Sequence, residues 1–173
     1  MVSLLPHLEA PPKHVCEDCI LGKMQRASFP KDGSVRAERR LQLIHSDVCG
    51  PMQTPSFGHY LYFVTFIDDY SRHAWVYPLK AKSEVFLCFK QFVATMAKNG
   101  SASCKVGTLH SDRGGEYMSK EFNAFLAERG IKHQCRVPYT PQQNGVAERK
   151  NMSLMEMACC MVKSQFLPHA FLA

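Results

Sequence analysis

The sequence has no apolar run long enough to cross a bilayer: its longest, Tyr60 to Ile67, has the length of a strand, against the roughly 20 residues a membrane helix needs. The N-terminus lacks the basic start, apolar block and small-residue cleavage site of a secretory signal. No membrane partner is expected, and the expected location is intracellular. A disulfide scaffold is also not expected. The chain has 8 cysteines, but most sit singly in apolar surroundings, as Cys88, Cys104 and Cys135 do, where a thiol behaves as a small hydrophobe. At 173 residues there is no room for a second large domain. What is present is ordinary for a soluble globular chain: 46% hydrophobic and 21% charged residues exclude a disordered or fibrous class. The net charge of +6, with an isoelectric point near 8.9, favours a polyanionic partner without specifying one.

The pattern changes once along the chain. Residues 1–40 are rich in proline and charge and carry little apolar periodicity, apart from the Cys-x-x-Cys of Cys16 and Cys19. From Leu41 a globular pattern begins. Leu41, Leu43 and Ile44 lead into His45-Ser46-Asp47 and the Gly50-Pro51 break, which reads as a strand ending on a carboxylate. Tyr60 to Ile67 and Ala74 to Leu79 are aromatic and β-branched runs joined by the polar stretch from Asp68 to Arg72, the signature of a hairpin. Ser83 is a candidate cap for a helix with apolar positions Val85, Phe86, Phe89, Phe92, Val93 and Met96, stopping at Gly100. Lys105 to Leu109 is a further short strand that runs into His110-Ser111-Asp112. Ser119 caps a second helix carrying Phe122, Phe125 and Leu126, with Gly130 at its end. A strand follows from Ile131 to Val137, then a loop rich in breakers and amides from Pro138 to Gly145. The final helix, Val146 to Val162, is apolar around most of its circumference, as expected of one pressed on a sheet and covered on its other side. An antiparallel meander followed by alternating strands and helices predicts an α/β fold with a mixed sheet and helices on both faces. The ribonuclease H-like architecture, with five strands, has this order.

Two apolar strands end in the same tripeptide, His45-Ser46-Asp47 and His110-Ser111-Asp112. A carboxylate on an apolar strand is costly unless paired or bound to a cation, and two such strands side by side would converge their carboxylates. Glu148 is the third candidate, on the first turn of the last helix, where negative charge is favoured. Three clustered carboxylates repel unless a hard cation lies between them, and oxygen-only ligation suits Mg²⁺ or Mn²⁺. Two ions held this way make a phosphoryl-transfer site. Taken singly, each carboxylate has a plain structural reading as a cap or surface group. Asp68 and Asp69 sit at a hairpin turn, where acidic residues are expected for structural reasons, and Glu116 lies too far past its strand to be a first choice. His45 and His110, each two residues before its Asp and on the same strand face, are read as histidines of the core or of the site's surroundings rather than as metal ligands.

Asp47 lies 65 positions before Asp112, and thirty-five residues separate Asp112 from Glu148. With that spacing, four ordered motifs resemble the integrase core of copia-type LTR retrotransposons over about residues 14–173: His45 to Pro51, Phe66 to Arg72, His110 to Tyr117 and Pro141 to Arg149. The resemblance implies a ribonuclease H-like enzyme, a polynucleotidyl transferase and endonuclease. Such an enzyme trims element DNA ends and joins their 3′ hydroxyls to target DNA, with Asp47, Asp112 and Glu148 as ligands of two Mg²⁺ or Mn²⁺ ions. Residues 1–40 then correspond to a pre-integrase zinc-binding segment and linker, cut short at its start, and 41–173 to the catalytic core, cut short at its C-terminus. Cys16 and Cys19 are half of a tetrahedral zinc site. The His pair that completes it in the family has no counterpart here at the usual separation, so Zn²⁺ is not expected to be held stably. DNA contact is expected mostly with phosphate, through Arg113, Arg149 and Lys150 beside the trio and through Gln142, Gln143 and Asn144 in the loop. From Leu41 onward, 14 Lys and Arg stand against 10 Asp and Glu. The expected partners are element ends and target DNA, the functional state a homo-oligomer, and the working location the nucleus. Two rivals stand beside this reading: a ribonuclease H-like nuclease with another carboxylate set, and a decayed or domesticated nucleic-acid-binding module without catalysis.

Overall fold

A computed structural model describes residues 36–99, 105–135, 145–164, 168 and 171, and every element below lies in the unit spanning residues 35–173. Five strands form one mixed sheet: β1 (Leu43–Cys49), β2 (Tyr62–Asp68), β3 (Ala74–Leu79), β4 (Thr108–Ser111) and β5 (Lys132–Cys135), in the spatial order β3-β2-β1-β4-β5. The first three make an antiparallel meander, because the turn from Asp69 to Arg72 brings β3 straight back along β2. β4 and β5 join parallel to β1, so each needs a crossover. Helix α1 (Val85–Asn99) precedes β4 and helix α2 (Lys120–Glu128) precedes β5, while α3 (Gly145–Ser164) follows the sheet. None of the described helices is long and apolar enough to span a membrane.

Strand alternation divides the sheet into two faces. Ile44, Val64, Phe66 and Leu109 turn toward α1 and α2 and are fully buried there with Phe89, Phe92 and Phe122. Phe66 stacks on Phe92 at 4.9 Å, and Phe89 on Phe122 at 5.3 Å, so one aromatic layer welds both crossover helices to β2. His45, Asp47 and Thr65 lie on the opposite face, the one α3 packs against through Ala147 and Asn151. Helices thus flank both faces of the mixed sheet, the ribonuclease H-like arrangement expected from element order.

Several local expectations were met for the stated reasons. Ser119 accepts a hydrogen bond from the Phe122 N–H at 3.1 Å and so caps α2. Gly130 ends that helix in the left-handed region, at φ +66°. Others were revised. Ser83 caps nothing; it lies in a 3₁₀ turn, Lys82–Glu84, and the carboxylate of Glu84 takes the N–H groups of Lys80 and Ala81 instead. β1 and β4 begin later than their apolar runs do, at Leu43 and Thr108: Leu41, at φ +62°, is out of extended conformation, although its carbonyl still accepts the Gly107 N–H at 2.9 Å. α3 is not covered on its outer side by the described residues: Met152 and Met161 are each 63% exposed. The stop at Gly100 and the loop from Pro138 to Asn144 lie outside the described residues.

Candidate active site

The parallel pairing of β1 with β4 sets Leu43 beside Thr108, Ile44 beside Leu109 and His45 beside His110. That register has an offset of 65 residues, the same as the separation of Asp47 from Asp112. Asp47 and Asp112 each follow that last pair by two residues, and the charge of Asp112 reaches Asp47. Gly50, at φ +122°, ends this edge; a side chain there would place its Cβ 2.6 Å from the Leu61 carbonyl oxygen.

Asp47 and Asp112 are each oriented by a hydrogen bond. Asp47 accepts a hydrogen bond from the Asn151 amide on α3, Nδ2 to Oδ2, at 2.9 Å. Asn151 is itself fixed from the other side, because the Thr65 hydroxyl donates to its Oδ1 at 2.9 Å. Asp112 accepts the Gly114 N–H at 3.0 Å, which holds its side chain over the turn leaving β4. Beneath β1, Ser46 and the buried Tyr117 share a 2.6 Å hydrogen bond that ties the strand to the segment after Asp112. Glu148 stands half-buried on the first turn of α3, three residues before Asn151 and hence beside it on the helix surface.

Asp47 feels the charge of both other carboxylates. Asp47 is pushed up to about 6, first by burial, then by the charge of Asp112, with Glu148 adding to it; the Asn151 hydrogen bond and the Val48 N–H pull the other way. The donor set is all oxygen and its charge is concentrated and partly desolvated, which fits a hard divalent cation in character. The trio converges on one region without closing on a point: among the described residues, no group of three or more His, Cys, Asp or Glu stands ready to hold an ion.

Asp68 and Asp69 have the structural role their turn position implied. Asp68 takes the N–H of Leu41 and both the N–H and hydroxyl of Ser71. Asp69 takes the Ala37 N–H at 2.8 Å, Arg72 Nη1 at 2.8 Å and His45 Nε2 at 3.0 Å. Burial alone would raise Asp69, but these donors reverse it and hold the carboxyl below its usual range. His45 is lowered by burial, which outweighs Asp69. The contact is therefore a neutral imidazole donating to a carboxylate rather than an ion pair. His110 meets the His45 ring edge-on at 5.4 Å, and both histidines are buried. Glu116 lies in the 3₁₀ turn Gly115–Tyr117, past the strand.

Of the basic candidates, Arg113 and Arg149 are exposed next to Asp112 and Glu148, and Lys150 is half-buried. Gln142, Gln143, Asn144, Cys16 and Cys19 lie outside the described residues. Sequence reasoning missed Asn151, Thr65, Tyr117 and the Gly114 N–H. Asn151 carried a usable signal, a polar residue three positions after Glu148 on a helix face that is otherwise apolar.

A ribonuclease H-like sheet whose carboxylates gather at the ends of two parallel central strands is the frame of a polynucleotidyl transferase. The family model described as "Integrase core domain" matches residues 37–141. The chain is 44% identical over 169 residues to the retrovirus-related Pol polyprotein from transposon TNT 1-94 of Nicotiana tabacum, covering 98% of this chain and 12% of that protein. It is 33% identical over 160 residues to the corresponding polyprotein from transposon RE2 of Arabidopsis thaliana, covering 90% of this chain and 10% of that one. Among solved structures, one from a simian T-cell lymphotropic virus intasome in complex with the PP2A regulatory subunit B56 gamma shares the fold, with a TM-score of 0.64 at 20% identity over 91% of this chain and 55% of that chain. The chain belongs to the integrase core domain family, in the branch carried by Pol polyproteins of copia-type retrotransposons. It spans about a tenth of the length of those polyproteins.

Proposed function

We propose that this integrase core joins DNA by phosphoryl transfer at a site made of Asp47, Asp112 and Glu148. The observation that carries the reading is the raised carboxyl of Asp47, lifted by its neighbours Asp112 and Glu148 as well as by burial. A buried carboxyl raised by two neighbouring carboxylates, with Asp47 and Asp112 each held by a hydrogen bond, suits a site for cations. Bound Mg²⁺ or Mn²⁺ ions supply activation of the attacking oxygen and charge stabilisation at the leaving oxygen.

The chain's own residues do the rest. The Thr65–Asn151 pair aims Asp47, the Gly114 N–H aims Asp112, and the first turn of α3 presents Glu148. In joining, the 3′ hydroxyl of an element end attacks a target phosphodiester; one P–O bond forms as another breaks, and the displaced 3′ oxygen of the target leaves. In end trimming, water takes the place of the hydroxyl. Arg113, Arg149 and Lys150 meet phosphates beside the trio, and Gln142, Gln143 and Asn144, which precede α3 in sequence, position the strand. Recognition then rests on the backbone and shape of DNA rather than on base edges. Joining two element ends to one target requires a homo-oligomer, and the work is done in the nucleus.

The test is strand transfer by the purified chain with Mn²⁺ and a pre-trimmed oligonucleotide end. Joining or nicking that disappears in Asp112→Asn supports the reading. Product no greater than that of the Asp112→Asn control overturns it.

A further inference from the structure

Phe57, in the loop between β1 and β2, is 68% exposed, the most of any large apolar side chain among the described residues. The turn that carries it is nevertheless well made. The Ser56 N–H donates to the Tyr60 carbonyl at 3.1 Å, the His59 N–H to the Ser56 carbonyl at 2.8 Å, and the Tyr60 N–H to the hydroxyl of the buried Ser56 at 3.1 Å. The Tyr60 ring lies against Gly58, where a Cβ would stand 2.4 Å from Tyr60 Cε2. Lys80 Nζ sits 5.7 Å over that ring, and Lys82 Nζ 5.9 Å over the ring of Tyr62. Both lysines are exposed. The pairing of Cys49 with Phe63 and of Tyr62 with Leu79 puts the loop and the exit of β3 at the end of the sheet toward which β1 runs past Asp47. No acidic residue occurs from Val48 to Ile67 or from Tyr70 to Ser83, and the Glu84 carboxylate is turned to the N–H groups of Lys80 and Ala81.

We propose that this surface binds unpaired DNA, with a base stacked on Phe57 and phosphates of the same strand held by Lys80 and Lys82. The identity of the polyanion rests on the reading of the chain as a DNA-joining core. An exposed ring beside lysines is the combination that holds single strands: the ring takes any base, and the ammonium groups follow the backbone. Only an unpaired base offers a free face, because inside a duplex its neighbours cover both sides. The Phe171 ring meets Phe57 edge to face, at 4.8 Å and 72°, and leaves both rings more than half exposed. The hydrogen-bonded turn fixes Phe57 before binding, so little ordering cost is left for the complex. Seating each ammonium over a tyrosine ring likewise restricts where the positive charge stands. Since the loop and Asp47 lie toward one end of the sheet, a strand engaged at the trio presents its unpaired bases here.

The test is binding of a fluorescent oligothymidine and of a blunt duplex to the full chain, with chelator present so that no DNA is cut, over a range of salt. Phe57→Ala is expected to weaken the oligothymidine complex by about 5–150-fold at every salt concentration, to leave the duplex complex as it was, and to leave the melting temperature unchanged. Phe57→Trp should hold the single strand at least as well as the parent. Lys80→Gln and Lys82→Gln should each lower the slope of log affinity against log salt by about 0.7. Equal affinity of Phe57→Ala and the parent for the oligothymidine overturns the surface, as does an equal loss on the duplex. Tighter binding of the matching RNA strand overturns the assignment to DNA. Strand transfer by the parent with no effect of Phe57→Ala on single-strand binding sinks this inference alone; binding that depends on Phe57 in a chain that joins nothing sinks the catalytic reading alone.

Discussion

Replacing Asp47 by Asn should stabilise the protein at neutral pH when divalent cations are chelated, the opposite of what most substitutions at a buried hydrogen-bonded position do. The folded carboxyl is pushed up to about 6 from 3.8, by burial first and by Asp112 second. Between those two pH values the folded state holds a proton that the unfolded chain has released, so stability falls as pH rises from about 4 to about 6 and stays lower above it. The shift is roughly two units, worth about 3 kcal/mol without screening. Solvent reaches part of the side chain, which lowers the figure to about 1–2 kcal/mol. The asparagine side chain removes the charge but keeps an oxygen that accepts from Asn151. In a thermal melt with chelator at pH 7.5, Asp47→Asn should melt about 2–8 °C above the parent, and the gap should close at pH 4, where the parent is protonated. Millimolar Mn²⁺ should raise the parent and leave the variant where it was. A variant that melts at or below the parent at pH 7.5 would refute the claim that the trio's charge is held under repulsion.

Asn151→Leu removes the donor that steadies Asp47 and the acceptor of Thr65; strand transfer should fall by about 10–100-fold, and the acid limb of its pH profile should move upward as Asp47 becomes harder to ionise. Asp69→Ala strands the donors of Ala37, His45 and Arg72 and should cost about 3–4 kcal/mol in urea unfolding, while the metal dependence of any surviving folded protein stays the same. His45 is lowered from 6.5 by burial, so the unfolded chain takes a proton there that the fold refuses. Its contribution is present above pH 6.5 and is lost as pH falls, and His45→Gln should flatten that acid limb in chemical unfolding curves. Phe66→Ala opens the aromatic layer shared by α1 and α2 and should cost about 3–5 kcal/mol, read as a shift in urea midpoint without a change in slope.

Much of the fold was legible because its signals are local. Alternation marked β2 and β3, and apolar spacing marked α1. Ser119 and Gly130 bounded α2 through hydrogen bonding and φ preference that need only neighbouring residues. Strand starts were less legible: Leu41 and Val106 are buried like strand residues yet lie before their strands, since burial does not require an extended backbone, and Leu41 stands at φ +62°. The outer face of α3 misled for a similar reason, because an apolar helix surface looks the same in sequence whether or not something covers it.

By itself the sequence determined the chemical inventory of the site: two identical His-Ser-Asp endings, a glutamate at a helix start, and acidic turn residues whose position marked them as structural. It could also supply the number 65, but not its meaning. Tertiary structure decided that, because the parallel register of β1 on β4 has the same offset and so turns a distance along the chain into adjacency in space. It likewise decided that Asn151 and Thr65 orient Asp47. Those contacts join residues 86 and 104 positions apart. Propensity and periodicity act over a few residues and carry no information about pairings at that range.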